Sequence, residues 1–420
     1  METVRCPETA YSHRLGKAIL RVSDSGGPLA NTEVTVAQTG HAFLFGATGF
    51  EAVPGYQANS WPAGQREEVW DHEAQRRWLE LFNLATLPFY WRRYEPVAGT
   101  TIEAQVRTAA EWFRQKNVTM KGHPLTWHTL APEWLSGRTE AQVEAALRGR
   151  VRREVGAFAG LVDWWDSVNE SVIAPVFDKE ANAITRLTRA KGRLHVLRLT
   201  FEEALRANPE ARLLLNDFDL STAYECLIEA VLEAGLPVAA IGLQTHMHQG
   251  FRGEDELDEI IDRFARYGLP LHLTETTLVS GRLMPPEIVD LNDYQVADWP
   301  TTEQGEARQA DEIVRHYRTA MAHPAVAAVT YWDIFDANAW LGAPSGLIRR
   351  DGTPKPAYHA LADLVKGAWW LRPTATETDA DGRVALEGFF GAYSVTAGGQ
   401  AAEFRLERGA ESIGVQLDAE

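Results

Sequence analysis

The chain has 420 residues, with 41 Lys+Arg against 58 Asp+Glu, and therefore a formal net charge of −17. A surplus of acid on this scale repels polyphosphate and anionic membrane surfaces, which argues against nucleic-acid or membrane partners and in favour of a neutral substrate. Two cysteines, Cys6 and Cys226, are too few for a disulfide-dense scaffold or a four-thiolate metal site, and both are expected as free thiols.

The chain opens Met1-Glu2-Thr3-Val4-Arg5-Cys6-Pro7, without the apolar core of a signal peptide. No apolar run reaches the roughly 18 residues that a membrane span needs. As the sequence stands it reads as cytoplasmic; a missing true N-terminus would make it secreted. Residues 17–22 and 33–36 read as short strands around the turn-forming Ser25-Gly26-Gly27-Pro28, and residues 383–386, 393–396 and 403–406 read the same way near the other end. Neither end buries a sheet face alone. Segments 1–40 and 371–420 are therefore expected to pair into one small β-sandwich beside a body spanning 41–370. Phe389-Phe390 and Tyr393 are expected there as core, not as a sugar-stacking platform.

Between the ends the period alternates between strand and helix. Strand-like runs fall at 41–48, 85–90, 119–125, 164–170, 211–217, 239–246, 271–276 and 327–334. Charged, helix-period segments fall at 65–82, 103–116, 140–158, 192–207, 223–233, 254–267, 303–321 and 356–365. Eight strand–helix units predict an α/β chain folded as a (β/α)8 TIM barrel, whose reacting groups project from the C-terminal strand ends. A doubly wound open sheet is the competing layout, but no Gly-x-Gly-x-x-Gly opens the first helix.

The strand ends are unusually polar: Lys121-Gly-His123 with Trp127-His128, Asp166-Ser-Val-Asn169-Glu170, Asn216-Asp217, Gln244-Thr-His246-Met-His248, Thr274-Glu275-Thr276, and Trp332-Asp333 with Asp336. Any one of these would serve as a helix cap; six on one rim point to a site. Glu170 and Glu275 are 275 − 170 = 105 positions apart in sequence, yet the barrel brings both to that rim. Two carboxyl groups across a cleft suit cleavage of a glycosidic bond, one protonating the leaving oxygen and the other attacking or activating water. A carboxyl separation of about 5–5.5 Å implies retention of configuration and about 6.5–9.5 Å inversion. No cofactor and no metal are called for. A metal-dependent amidohydrolase is the rival barrel reading, because His246-x-His248 resembles a ligand pair, but that class expects His-x-His at the first strand and here the run ends Phe45-Gly-Ala-Thr48.

Gly122-His-Pro-Leu-Thr-Trp-His128, Trp165-Asp-Ser-Val-Asn-Glu170, Leu214-Leu-Asn-Asp-Phe218, Ile241-Gly-Leu-Gln-Thr-His246, Leu273-Thr-Glu275 and the stretch Trp332…Trp340…Asp351-Gly…Lys355-Pro-Ala-Tyr358 resemble, in order, the motifs of the family 10 glycoside hydrolases, the endo-β-1,4-xylanase family. The resemblance covers roughly 41–367. It implies a retaining β-glycosidase acting on β-1,4-xylan or xylo-oligosaccharides, with Glu170 as acid/base and Glu275 as nucleophile. It further implies that His246 hydrogen-bonds the nucleophile, that Asn169 contacts the sugar 2-hydroxyl, that His123 and Trp127 line the same subsite with His128 beside them, that Gln244 neighbours the nucleophile, and that Trp332 and Trp340 wall the glycone sugars.

The pattern breaks at the second strand. The family carries Glu-Asn-x-x-Lys-Trp there, three of whose side chains bind glycone hydroxyls; this chain reads Thr86-Leu87-Pro88-Phe89-Tyr90-Trp91. Anchored on Trp91, Thr86, Leu87 and Tyr90 replace the three; anchored on Phe82-Asn83, Pro88 and Phe89 replace the first two. Tyr90 is the one candidate to restore a sugar contact. The final-loop Ser-Trp of the family stands here as Ala339-Trp340, and residues 278–300 make a long loop after the seventh strand, either a lid or a surface loop folded on itself. The changed glycone motif leaves open a different β-glycan or aryl β-glycoside as substrate, and a non-catalytic carbohydrate-binding barrel.

Overall fold

Runs of Val, Ile, Leu and Ala that are buried on both faces favour parallel staves covered by helices. The structure, a computed structural model, describes residues 3–4, 9–56 and 67–417. Its centre is eight parallel strands, β1 (Leu44–Thr48), β2 (Leu84–Pro88), β3 (Thr119–His123), β4 (Trp164–Asn169), β5 (Arg212–Asp217), β6 (Val238–Met247), β7 (Leu271–Leu278) and β8 (Val326–Tyr331). Each pairs with the next, from Gly46 opposite Leu84 through Leu271 opposite Val326, and Ala328 opposite Leu44 closes the ring. This is the (β/α)8 barrel that the alternation of periods predicts.

The helices follow the strands in turn: α1 (His72–Leu81), α2 (Glu103–Gln115), α3 (Glu140–Ala157), α4 (Arg193–Ala207), α5 (Thr222–Glu233), α6 (Glu254–Ala265), α7 (Glu303–Ala322) and α8 (Pro356–Asp363). Each lays one apolar stripe on the barrel; in α6 it is Leu257, Ile260, Ile261 and Phe264, at the three-and-four spacing of a helix face. The first predicted helix begins later than its sequence pattern, because Asp71 caps α1 by accepting from the Ala74 N–H at 2.8 Å. An additional helix, Ala183–Lys191, precedes α4, capped by Asn182. The predicted runs 85–90, 164–170 and 327–334 stop short as strands, so that Tyr90, Glu170, Trp332 and Asp333 lie just past the staves on the C-terminal rim. Gly122 in β3 has the Trp165 ring against it: a Cβ there would stand 2.2 Å from a ring carbon, so only glycine allows the close strand packing beside His123.

The two termini meet in a β-sandwich. In one sheet Leu15–Asp24 lies between Arg383–Phe389, antiparallel, and Ser412–Gln416, parallel; in the other Glu33–His41 lies between Thr374–Glu377 and Gly391–Ala397, with Gln400–Leu406 outside. Leu20, Val36, Val384, Val395, Leu406 and Val415 interdigitate between the sheets; Tyr393 is buried among them and Phe390 partly buried against them, while Phe389 packs into the barrel's core instead. Arg14 fastens the sandwich to the barrel, donating to the carbonyls of Met321, His323 and Val326 at 2.7–2.9 Å while its guanidinium lies over Phe43. Cys226 is a free, exposed thiol; Cys6 and residues 65–66 lie outside the described residues. No helix among the described residues is long and apolar enough to cross a membrane.

Candidate active site

Glu170 follows directly on β4, and its φ of +56° lies in the left-handed region that side-chain-bearing residues rarely occupy; its N–H donates to the Asn216 carbonyl of β5 at 2.8 Å. Glu275 sits inside β7 with φ +58°, at a register shift against both β6 and β8. A bulge of this kind re-aims a side chain relative to its stave. Backbone of this kind persists only where the surrounding structure holds it, and here it is held at both carboxyl-bearing positions of the rim.

The two carboxyl groups are joined by a short chain of amides. Glu170 Oε2 accepts from Trp127 Nε1 at 2.8 Å, and its Oε1 accepts from Asn169 Nδ2 at 3.1 Å and Gln244 Nε2 at 3.2 Å. Gln244 also donates to Asn169 Oδ1, and Asn216 Nδ2 bridges the same oxygen at 2.8 Å to Glu275 Oε1 at 2.7 Å. Thr274 Oγ1 donates to Asn216 Oδ1 at 2.6 Å, which fixes the amide orientation. On the far side of Glu275, Oε2 lies 3.1 Å from His246 Nε2, and His246 Nδ1 lies 2.9 Å from Thr277 Oγ1. Beneath them, buried Asp166 holds His123 Nδ1 at 2.8 Å and Lys121 Nζ at 2.9 Å.

This arrangement separates the two acids electrically. Burial, followed by the negative charge of Glu275, pushes the Glu170 carboxyl up to about 8, and the Trp127 hydrogen bond only partly offsets it. Burial also acts upward on Glu275, but the positive field of the His123 imidazole and the hydrogen bond and charge of His246 outweigh it and hold Glu275 below the ordinary carboxylate range. His128 Nε2 stands 3.8 Å from Glu170, yet burial lowers that imidazole to about 4 and leaves it neutral near pH 7, so Glu170 gains no cation. The pair is thus set up as one protonated acid and one ionised base at neutral pH.

Aromatic walls rise on the β8, β1 and β2 side. The Trp332 ring lies edge-on to His123 at 5.2 Å and to Phe50 at 5.5 Å; the half-buried Trp340 lies 4.8 Å from His246. Tyr90 packs against His123 at 5.3 Å and Trp127 at 5.6 Å. Thr86 and Leu87 are fully buried within the β2 stave, and Phe89 packs beneath on Trp165 at 4.8 Å. None of the residues replacing Glu-Asn-x-x-Lys presents a charge to the cleft, and Tyr90 alone carries a polar tip there.

All eleven residues singled out from the sequence, Glu170, Glu275, Asn169, His123, Trp127, His128, Gln244, His246, Tyr90, Trp332 and Trp340, lie in this one cluster. Sequence reasoning gave no site role to Asn216, the bridge between the acids, although its place at the end of the fifth apolar run was the available signal. It also gave none to Asp333, which has φ +58°, accepts from the Trp340 N–H at 2.8 Å, and is raised to about 8 by burial and by the nearby charges of Glu51, Asp336 and Glu275. His248 does not join His246 as a ligand pair: it is buried between the rings of His246, Trp299 and Trp340, while both nitrogens of His246 face Glu275 and Thr277. Among the described residues no group of three or more His, Cys, Asp or Glu side chains is placed to hold a metal ion.

Comparison with known proteins agrees with the barrel fold. The chain is 28% identical over 249 residues to the beta-1,4-xylanase of Dictyoglomus thermophilum, a match covering 54% of this chain and 64% of that one. It is 23% identical over 383 residues to the anti-sigma-I factor RsgI6 of Acetivibrio thermocellus, covering 89% of this chain and 44% of the relative. The chain therefore spans less than two thirds of the length of either relative. Among solved structures, the family 10 enzyme of Paenibacillus barcinonensis superposes with a TM-score of 0.62 at 22% identity, over 78% of this chain and 96% of that one. Xylanase 10B of Thermotoga petrophila, solved with xylobiose, gives 0.59 at 22% identity, over 77% and 94%. The model of glycosyl hydrolase family 10 matches residues 88–364, well over half of the chain, and the protein belongs to that family.

Proposed function

We propose that the protein is a retaining β-glycosidase that cleaves β-1,4-linked xylose units by double displacement. Glu275, ionised, attacks the anomeric carbon while Glu170 gives its proton to the departing oxygen; Glu170, now a base, takes a proton from water as that water attacks the same carbon and releases Glu275. Asn169 meets the 2-hydroxyl of the sugar being cut, His123 and Trp127 shape that subsite, and Trp332 and Trp340 stack beside the glycone. Asn216 and His246 hold Glu275 charged and aimed. The observation that carries the reading is the opposite displacement of the two carboxyl groups within one hydrogen-bonded network.

The test is turnover of aryl β-xylosides and β-xylobiosides, with mass spectrometry of the enzyme after treatment with a slow 2-fluoro substrate. A covalent adduct on Glu275 is expected; an adduct on any other side chain overturns the assignment.

A second reading concerns the sugar. The family's Glu, Asn and Lys are absent at β2, and each lost hydrogen bond involving a charged group is worth roughly 1–3 kcal/mol of recognition. A glycone other than unsubstituted xylose is therefore the main alternative, and a panel of aryl β-glycosides ranks it. The same loss is what favours a non-catalytic carbohydrate-binding barrel, and the retention of both Glu170 and Glu275 stands against it; binding without product from any member of the panel would establish it.

A further inference from the structure

Residues 278–300 are built into the barrel rim as a fixed wall. Val279, Met284, Tyr294 and Trp299 form a small buried core with Leu341 and Ala343. The Met284 N–H donates to the His248 carbonyl at 2.9 Å, and Gln249 Nε2 donates to the carbonyls of Pro285 and Ile288 at 2.8 Å each, so the end of β6 supports the segment. At its far tip, Asp290 and Asp293 meet Lys179, which belongs to the loop following β4. Lys179 Nζ lies 3.0 Å from Asp290 Oδ2 and 2.6 and 2.5 Å from the two oxygens of Asp293.

The strands joined by this contact are those that carry the two acids. β4 ends at Glu170, β7 holds Glu275, and on the bridged side only β5 and β6 lie between them. The opposite side, from β8 through β1 and β2 to β3, presents Trp332, Trp340, Tyr90 and His123, the glycone walls. A sugar chain threaded between the acids with its glycone on those walls must run out over β5 and β6, where the segment and its ion pairs stand. We infer that the loop after β7, latched to the loop after β4 by Lys179 with Asp290 and Asp293, closes the leaving-group side of the cleft, so that the protein takes short oligosaccharides and small aglycones and not the interior bonds of a polysaccharide.

The inference rests on the hydrolase reading and names its substrate class. The wall and the latch differ in strength. The wall is held by buried apolar side chains; the latch is exposed, with 44% of Lys179 and 59% of Asp293 open to solvent, and pairs of that kind are screened by salt. The closure is therefore expected to loosen as ionic strength rises.

The experiment uses the full chain and compares three substrates, an aryl β-xylobioside, xylotetraose and a soluble xylan, following both reducing ends and viscosity. Wild type should cleave the two short substrates with kcat/KM at least about tenfold above that for polymer, and viscosity should lag behind reducing-end release. Lys179→Ala should leave aryl-glycoside turnover within about twofold and raise the polymer-to-oligomer ratio about threefold; salt at about 0.5 M should do the same to wild type and not to the variant. An early drop in viscosity with wild type overturns the closure. A ratio moved by neither the substitution nor salt overturns it too. Absence of product from all three substrates sinks the hydrolase reading, and this inference with it, a result distinct from polymer cleavage.

Discussion

Glu170 and Glu275 make a controlled comparison inside one molecule. Both stand on the C-terminal rim, both have positive φ, and both are pushed upward by burial, yet they finish on opposite sides of the ordinary carboxylate value. What differs is the charge of their partners. Glu170 is surrounded by neutral donors, the Trp127 indole and two amides, while its nearest imidazole is kept neutral by its own burial. Glu275 faces His246 and the field of His123, which is itself held by Asp166, a carboxylate that Lys121 also contacts. Burial raises both groups alike, and the hydrogen bonds and charges around each decide on which side of the ordinary value it finishes.

Breaking the charged side should have the largest effect. Glu275→Gln should lower kcat by about 10⁴-fold or more on every substrate, because no covalent step remains, with single-turnover kinetics as the check. Glu170→Gln should cost about 10²–10⁴-fold where the leaving group needs protonation and far less in the first step with an activated aryl group. Azide should restore the second step with a β-azide product. The same variant bears on stability. Glu170 holds its proton up to about 8 in the fold against 4.5 as its ordinary value, so the folded state binds more protons in that window and wild-type stability falls as pH rises through it. Glu170→Gln lacks this slope, and its Tm should exceed that of wild type by a few degrees at pH ~9, with the gap closing at low pH.

Weaker perturbations sharpen the contrast. His246→Ala should lower kcat/KM about 10–100-fold through the lost charged hydrogen bond. Since His246 lowers Glu275, its removal raises that group, and the acidic limb of the pH profile should move to higher pH while the basic limb, set by Glu170 near 8, stays in place. Trp127→Phe should do the reverse at small cost. It removes a hydrogen bond that lowers Glu170, so the basic limb alone should move upward.

Much of the barrel was readable because its signals are local: apolar staves, amphipathic helices and polar strand ends each lie within a dozen residues. Glu170 and Glu275 were readable through the motifs around them. Asn216 was harder, because its role exists only once β4, β5 and β7 bring Asn169 and Glu275 each within 3 Å of its amide nitrogen. The strained backbone at Glu275 and Asp333 left no mark in composition, since positive φ at a non-glycine residue is imposed by tertiary packing. The helix Ala183–Lys191 escaped notice although Asn182 and the spacing of Ile184, Leu187 and Thr188 announce it, because the long connection before it reads as a single loop. The long segment after β7 could be named from sequence but not placed. Its apolar residues pack onto the β8 loop, a partner over forty positions away.

The interleaving of the two termini has a consequence for how the molecule comes into being. Apart from a two-residue pairing with Gly27–Pro28, strand Leu15–Asp24 is flanked by Arg383–Phe389 and Ser412–Gln416, and Glu33–His41 is flanked by Thr374–Glu377 and Gly391–Ala397. Closing loops of that length is entropically slow. The sandwich strands that precede the barrel therefore keep their apolar faces uncovered until the segments that follow it arrive, and those later segments act as the fastener that closes both sheets at once.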